Sequence, residues 1–410
     1  MTAFWAQLLH LYQPPTQTHD VLHRIADESY RPLVQLLREH PHSRIAININ
    51  GVLTDTLREH GMRDIVDGLR ALGERGQIEF VGSGKHHPIL PLIPAEARRR
   101  SIAENSETNR RLLGEAATPG GFFPPEMCYS ADIARDIVES GHRWAVLSGI
   151  AAAPGHWPTN AIARVNTAAG PLAVFFRDDT RSNRISFRET NAEGFLDELG
   201  ALGGDEVRYV LTAMDGETFG HHIKGWDQEF LGAAYARITA AGERTGVVMV
   251  KPSELFEHFP EGDVVEPRPS SWSTSEEDIA EENPYPLWNS PGNAVHALQW
   301  EYVEHCLAVL RAAKKAEGDV AARYAEMAES LLQPALHSCQ FWWASRRPMW
   351  DVPMIHRGFQ LLNSVLVMAM KAVNGGTVDD DAAGEARWRF AAANEIRDRL
   401  ERELFFEPGG

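Results

Sequence analysis

Residues 211–226 read LTAMDGETFGHHIKGW. The first half is a short apolar run that reads as a buried strand. The second half packs Asp215, Glu217, His221 and His222 into a few positions, with Gly216 and Gly220 between them. An apolar strand that stops abruptly in carboxylates, glycines and histidines points to a strand delivering chemical groups to the rim of a pocket. In parallel α/β folds, functional residues gather just past the strand C-termini. Read alone, the stretch also fits a polar turn leading into a solvated helix.

Working outward, the first 260 residues alternate short apolar runs with amphipathic helical patterns. Strands are expected at Trp5–Leu11, Arg44–Asn48, Ile78–Val81, Gly121–Phe123, Trp144–Leu147, Ala173–Phe176, Arg208–Ala213 and Val247–Val250. Helical patterns lie between most of them, at Asp20–Glu39, Met62–Arg75, Ala95–Leu113, Ala131–Ser140 and Asp227–Ala241. Near-continuous apolar strands separated by helices imply a parallel sheet covered on both faces. Seven or eight such units point to a closed or nearly closed (β/α) barrel. An open doubly wound sheet is the alternative, weakened because no GxGxxG follows the first strand.

The residues after each strand strengthen this reading. After the first come His10, Tyr12, Gln13 and Pro14; after the second, Asn48, Asn50 and Gly51; after the third, Gly82, Gly84, Lys85, His86 and His87. Pro125, Glu126 and Tyr129 follow the fourth, Arg177, Asp178 and Asp179 the sixth, and Asp215 and Glu217 the seventh. Polar residues, glycine and proline collect at one end of the strands, as at the active face of a barrel.

Beyond residue 260 the chain changes character. Residues 261–292 are rich in proline, serine and acids and read as an irregular linker that could fold over the barrel mouth. From residue 293 to 410 the pattern is helical, at Ala294–Glu317, Val320–Trp343, His356–Val373 and Ala382–Phe405, an α-helical domain expected to complete a substrate cleft.

Composition sets bounds. A 410-residue chain with 24% charged and 43% hydrophobic residues is ordinary globular material. The net charge of −17 argues against nucleic acid or an anionic membrane as partner. Cys128, Cys306 and Cys339 are scattered, without a CxxC, and form neither a disulfide framework nor a zinc site. The N-terminal residues lack a basic segment and His10, Gln13, Pro14 and Pro15 interrupt the apolar run, so a signal peptide is not expected. A cytoplasmic location is the simplest expectation.

Glu126 lies in GFFPPEMCYS, where Pro124 and Pro125 stiffen the exit from a short strand. A carboxylate there is well placed to be aimed, although it could equally be a charge at the start of the following helix. Glu126 and Asp215, facing each other across one barrel mouth, would suit glycoside hydrolysis. The chain holds 11 Trp, and aromatic planes stack well on sugar rings. Trp272, Trp288 and Trp343 are the cleft candidates, while Trp300, Trp342 and Trp388 read as core of the helical domain. The pairs His86–His87 and His221–His222 lack metal-ligand spacing, so no metal is expected. These histidines instead suit hydrogen bonds to sugar hydroxyls or to the carboxylates.

Together these motifs resemble glycoside hydrolase family 57, whose members act on α-glucans with an incomplete (β/α)7 barrel followed by helices. HLYQPP at His10–Pro15, GSGKHHPILPL at Gly82–Leu92, FPPEMCY at Phe123–Tyr129 and MDGETFGHH at Met214–His222 resemble the family's first four motifs. The resemblance implies a retaining double displacement with Glu126 as nucleophile and Asp215 as general acid/base. It implies that His10 contacts sugar at the cleavage subsite and that Glu217 and His221 shape the surroundings of the acid. Gln13, His87 and Arg177 join the candidate substrate-binding residues. No metal or organic cofactor is implied, and the expected partner is an α-glucan or maltooligosaccharide.

Two positions depart from the pattern. Tyr12 stands where many members have histidine. The fifth motif, which usually carries an acid, matches SCQFWWAS at Ser338–Ser345 with Cys339 and Gln340 in its place; Asp351 is the nearby candidate substitute. The leading expectation is an α-glucan hydrolase, with 4-α-glucanotransferase or branching activity on the same site as the alternative. A metal-dependent polysaccharide deacetylase and a non-catalytic glycan-binding protein on the same barrel stay open.

Overall fold

The computed structural model describes residues 2–153, 158–203 and 206–405. It divides into two compact units, Met1–Trp272 and Ser273–Gly410.

The first unit is an α/β barrel. Strands β1 (Ala3–Leu11), β2 (Ile45–Ile49) and β3 (Ile78–Val81) pair in parallel, and β8 (Arg208–Asp215) lies along the other edge of β1. A second sheet contains β4 (Gly121–Phe122), β5 (Trp144–Leu147), β6 (Ile162–Thr167), β7 (Gly170–Phe176) and β10 (Glu261–Val264). The sheets meet at a parallel bridge between Gly82 and Phe122, sealed by Gly82 N–H to Gly121 O at 2.9 Å and Phe123 N–H to Gly82 O at 2.8 Å. Among the described residues, β7 and β8 form no ladder. Their seam is spanned by Asp178 N–H to Leu211 O, at 2.8 Å, and by the Arg177 side chain, whose Nε donates to Ala213 O at 2.7 Å. The ring β1–β2–β3–β4–β5–β7–β8 is an incomplete (β/α)7 barrel. Strand β9 (Val247–Val250) pairs with the first half of β1, on the edge that β2 occupies further along.

Parity along the strands decides which side chains enter the barrel. Ala6 and Leu8 of β1, Ala46 of β2, and Tyr209, Leu211 and Ala213 of β8 pack into one interior cluster with Phe123, Trp144 and Phe175. Residues of the opposite parity, among them Trp5, Leu9, Ile45, Ile47, Val210 and Met214, pack outward with the surrounding helices. Continuing the interior parity, the next residues are His10, Asn48 and Asp215. They crown the inner wall.

Strand and helix positions follow the sequence patterns closely, with exceptions. Strands β6 and β10 have no counterpart in those patterns. Strand β6 pairs antiparallel with β7 through a turn at residues 167–170, and β10 pairs with β6 at Glu261–Ile162 and Val264–Arg164. The unit boundary therefore falls after Trp272, inside the stretch that reads as a linker. That stretch also carries a short helix, Glu276–Ala280, capped reciprocally by Ser275 and Asp278. Helices Gly51–Glu59, Asp179–Ser186 and Ala192–Leu202 likewise lie outside the expected set.

In the second unit, helices Ala294–Ala313, Asp319–Ala335, Val352–Gly375 and Asp380–Phe405 pack around one another. The helix expected at 320–343 ends at Ala335, just after Pro334, which lacks an amide donor, and restarts as Cys339–Trp342. Among the described residues, no helix is long and apolar enough to cross a membrane.

Candidate active site

Asp215 is the last residue of β8 and is in register with His10 of β1, which is in turn in register with Asn48 of β2. Two glycines let the chain leave β8 tightly. A Cβ on Gly216 would lie 2.1 Å from Leu11 Cδ2, and Gly220, at φ +102°, lies where a Cβ would meet Glu28 O at 1.9 Å.

Glu126 reaches the same rim from the opposite wall. It sits in the left-handed region at φ 57°, ψ 19°, followed by Met127 at φ 51°, an unfavourable conformation for residues with side chains. Local bonds hold it. Met127 N–H donates to Pro124 O at 2.7 Å and Cys128 N–H to Pro125 O at 3.0 Å, while Tyr129 N–H donates to Ser270 O at 2.8 Å. Trp272 fastens Glu126 twice. Its N–H donates to Glu126 O at 3.1 Å and its indole Nε1–H to Glu126 Oε2 at 2.9 Å. The other carboxylate oxygen lies 3.6 Å from His87 Nδ1. The Glu126 side chain keeps 17% of its surface open.

A stack of rings connects the two walls. Tyr12 lies on His87 at 4.1 Å between centroids, His87 on His10 at 4.8 Å, and His10 on Phe123 at 4.7 Å, each pair within about 25° of parallel. Trp272 meets the edges of His10 and Phe123.

Burial dominates the electrostatics. It pushes Glu126 up from 4.5 to about 8, aided by the charge of Asp215 and opposed by the indole donor of Trp272. Asp215 is also raised by burial, against the pull of the Arg177 guanidinium. Glu217 is raised by burial and by Asp215. Burial lowers His10 to about 4, so it is neutral. Burial thus favours a proton on Glu126 over Asp215 at neutral pH, with Glu217 raised beside them.

Several of the expected site residues serve as supports. Glu217 is 4% exposed, and its Oε1 accepts from Tyr12 N–H at 3.3 Å, from Gln13 Nε2 at 3.2 Å and from the Tyr30 hydroxyl. It ties the exit of β8 to the exit of β1. Gln13 is thereby turned onto Glu217 and Tyr30, and its Oε1 accepts from Gln17. Arg177 is buried, with Nε on Ala213 O, Nη1 on Asp179 at 2.7 Å and Nη2 on Asn183 at 2.8 Å, and its guanidinium lies 5.9 Å from the Trp272 ring. It seals the open seam between β7 and β8. His221 pairs its Nδ1 with Glu28 Oε2 at 2.6 Å, beside Lys224.

In the second unit, Trp288 has no exposed surface, and its carbonyl accepts from Trp300 Nε1 at 2.8 Å, so as folded it offers no face to a ligand. Trp388, expected in the core, is 59% exposed. Trp343 is half-buried and edge-on to Trp342, and its carbonyl accepts from Asp351 N–H at 3.1 Å. The Asp351 side chain caps helix Val352–Gly375 by accepting from Met354 N–H at 2.9 Å. Phe123 and Tyr30 belong to the site without being among its expected residues, and Asn48 and Asp179, expected only as polar residues past their strands, join it. Parity along β2 was the available signal for Asn48. Tyr30, on a distant helix, had none. Among the described residues no three His, Cys, Asp or Glu side chains are disposed to hold a metal ion.

Comparison with known proteins supplies the family. The model described as "Glycosyl hydrolase family 57" matches residues 6–267. An α-amylase of Pyrococcus horikoshii is 28% identical over 238 residues, covering 54% of this chain and 36% of the relative. A 4-α-glucanotransferase of Thermococcus kodakarensis is 27% identical over 285 residues, 65% of this chain and 41% of the relative. The chain thus spans well under half the length of these relatives. Among solved structures, a GH57-type branching enzyme of Pyrococcus horikoshii superposes with a TM-score of 0.70 at 15% identity, over 100% of this chain and 98% of that one. The 4-α-glucanotransferase of Thermococcus litoralis gives 0.69 at 19% identity, over 90% and 59%. With its barrel and rim carboxyls, and a match over more than half its length, the chain belongs to glycosyl hydrolase family 57.

Proposed function

We propose that the protein cleaves α-glucosidic bonds of α-glucans by a retaining double displacement, with Glu126 as nucleophile and Asp215 as general acid/base, the glycosyl group passing to water or, alternatively, to a sugar hydroxyl. The observation that carries this reading is the pair of carboxyls on opposite walls of one barrel rim, both raised by burial. The amylase and glucanotransferase relatives support the substrate class.

In the first step Glu126 attacks the anomeric carbon, the bond to the leaving oxygen breaks, and Asp215 gives that oxygen its proton. In the second, Asp215 takes a proton from water or from a sugar hydroxyl, whose oxygen attacks the anomeric carbon and releases Glu126. Only the arrangement with the proton on Asp215 is productive. Both arrangements hold the same number of protons, so pH does not choose between them; substrate contacts must.

Incubation with maltooligosaccharides, followed by chromatography and linkage analysis of the products, tests the reading. Shorter products alone mean hydrolysis, longer α-1,4 products mean glucanotransfer, and new α-1,6 links mean branching. No reaction on any α-glucan, or turnover that survives Glu126→Ala, overturns it.

A further inference from the structure

We propose that Asn48 is a positioning residue that fixes which nitrogen of His10 carries the proton, so that Nε2 enters the cleft as a hydrogen-bond acceptor for a substrate hydroxyl. The part concerning substrate rests on the glycosidase reading above; the part concerning His10 does not.

The carbonyl oxygens of Val81 and Gly82, at the end of β3, can only accept. Asn48 faces both, at 2.8 and 3.3 Å, so the atom facing them is its NH2 group. The amide oxygen of Asn48 must then point the other way, toward His10 Nδ1 at 2.7 Å. An amide oxygen cannot donate. His10 Nδ1 therefore carries the hydrogen, and in a neutral ring Nε2 has the lone pair.

The position of His10 gives this proton its consequence. His10 has the inward parity of β1, directly between Asn48 and Asp215 in register. Its ring is held flat between Phe123 and His87, so it cannot turn to offer the other nitrogen. The titratable groups around it are Asp215 on β8, Tyr12 and His87 in the stack, and Glu126, which lies against His87. Burial holds His10 neutral across the working range, in accord with an acceptor role. A sugar hydroxyl that donates to Nε2 gains electron density on its oxygen, and a hydroxyl oriented in this way cannot also donate to a rim carboxylate. Asn48 thus acts through His10 and touches no substrate.

The test is nitrogen NMR on the substrate-free protein labelled with 15N-histidine, assigning His10 by the resonances lost in His10→Gln. The expected result is a protonated Nδ1 and an unprotonated Nε2, unchanged from pH 8 to pH 5. A protonated Nε2 overturns the proposal, whatever the activity of the protein. Asn48→Leu is expected to release the tautomer, bringing the Nε2–H form into the spectrum, and to lower kcat/KM on an α-glucan about tenfold. Asn48→Asp, which keeps an acceptor on Nδ1 but loses the donor to Val81 O and Gly82 O, is expected to restore the tautomer and part of the rate at pH 8, and to bring His10 protonation to higher pH. Loss of rate in Asn48→Leu with the tautomer unchanged shows a merely structural role and overturns the proposal. Absence of any α-glucan turnover with the expected tautomer in place refutes the glycosidase reading and leaves the His10 assignment standing.

Discussion

Trp272 holds Glu126 at both ends, its indole Nε1–H on the carboxylate at 2.9 Å and its backbone N–H on the Glu126 carbonyl at 3.1 Å. One residue therefore both secures a left-handed backbone and stabilises the ionised side chain. Trp272→Phe keeps the backbone bond and removes the indole donor. Glu126 then rises further, its proton is harder to move to Asp215, and kcat/KM is expected to fall about tenfold, the worth of one hydrogen bond to a charged group. An unchanged rate in steady-state kinetics would remove the indole from the mechanism.

The carboxyl of Glu126 weighs on stability in a pH-dependent way. Its pKa is about 8 in the folded protein against an ordinary 4.5. Between these values the unfolded chain has released the proton and the folded protein still holds it, so folding loses stability as pH rises from about 4.5 through 8. Glu126→Gln escapes this loss. Its melting temperature is expected to exceed that of the unmodified protein at pH 8 by an amount corresponding to a few kcal/mol, since each tenfold difference in acidity is worth at most about 1.4 kcal/mol. The difference should vanish near pH 4, and calorimetry at both pH values checks it.

Tyr30 and Glu217 make a second buried couple, with the phenol donating to the carboxylate. Tyr30→Phe takes one donor from a carboxyl that is already raised by burial. Urea unfolding is expected to show a loss of about 1–3 kcal/mol. Because the phenol favours the ionised carboxylate, the loss should be larger at pH 8 than at pH 5. An equal loss at both would mean that Glu217 keeps one protonation state between pH 5 and pH 8.

Arg177 opposes the rise of Asp215 while sealing the seam beside it. Arg177→Met frees Asp215 to rise, which moves the proton from Glu126 toward Asp215, and kcat/KM at its optimum is expected to rise several-fold. The change is opposite to that of Trp272→Phe, because the proton is driven onto the acid rather than the nucleophile, and the alkaline limb, set by the more strongly raised Glu126, should hardly move. The variant also takes one partner from Asp179, which keeps the Ser148 hydroxyl and Ile150 N–H, at an expected cost of about 1–2 kcal/mol in chemical denaturation. An unchanged kcat/KM would put the Arg177 charge outside the reach of Asp215.

Much of this protein was determined by sequence alone. Buried parallel strands are apolar throughout, so β3, β5 and β9 are legible to the residue, and the change to Gly, Pro, His and acid marks each strand's C-terminal end. That local contrast singled out Glu126 and Asp215, and both stand at the barrel rim. What it lacked was partnership. Strands β6 and β10 owe their form to pairing with neighbours rather than to their own composition, and nothing local announces it. The supports of the site are likewise made by distant residues: Asn48 lies 38 positions from His10, Tyr30 lies 187 from Glu217, and Trp272 lies 146 from Glu126. Residue type marks which groups can do chemistry. Whether a carboxyl is raised, an imidazole is an acceptor or a tryptophan is buried depends on which groups from elsewhere in the chain are packed against it, and only the tertiary structure decides that.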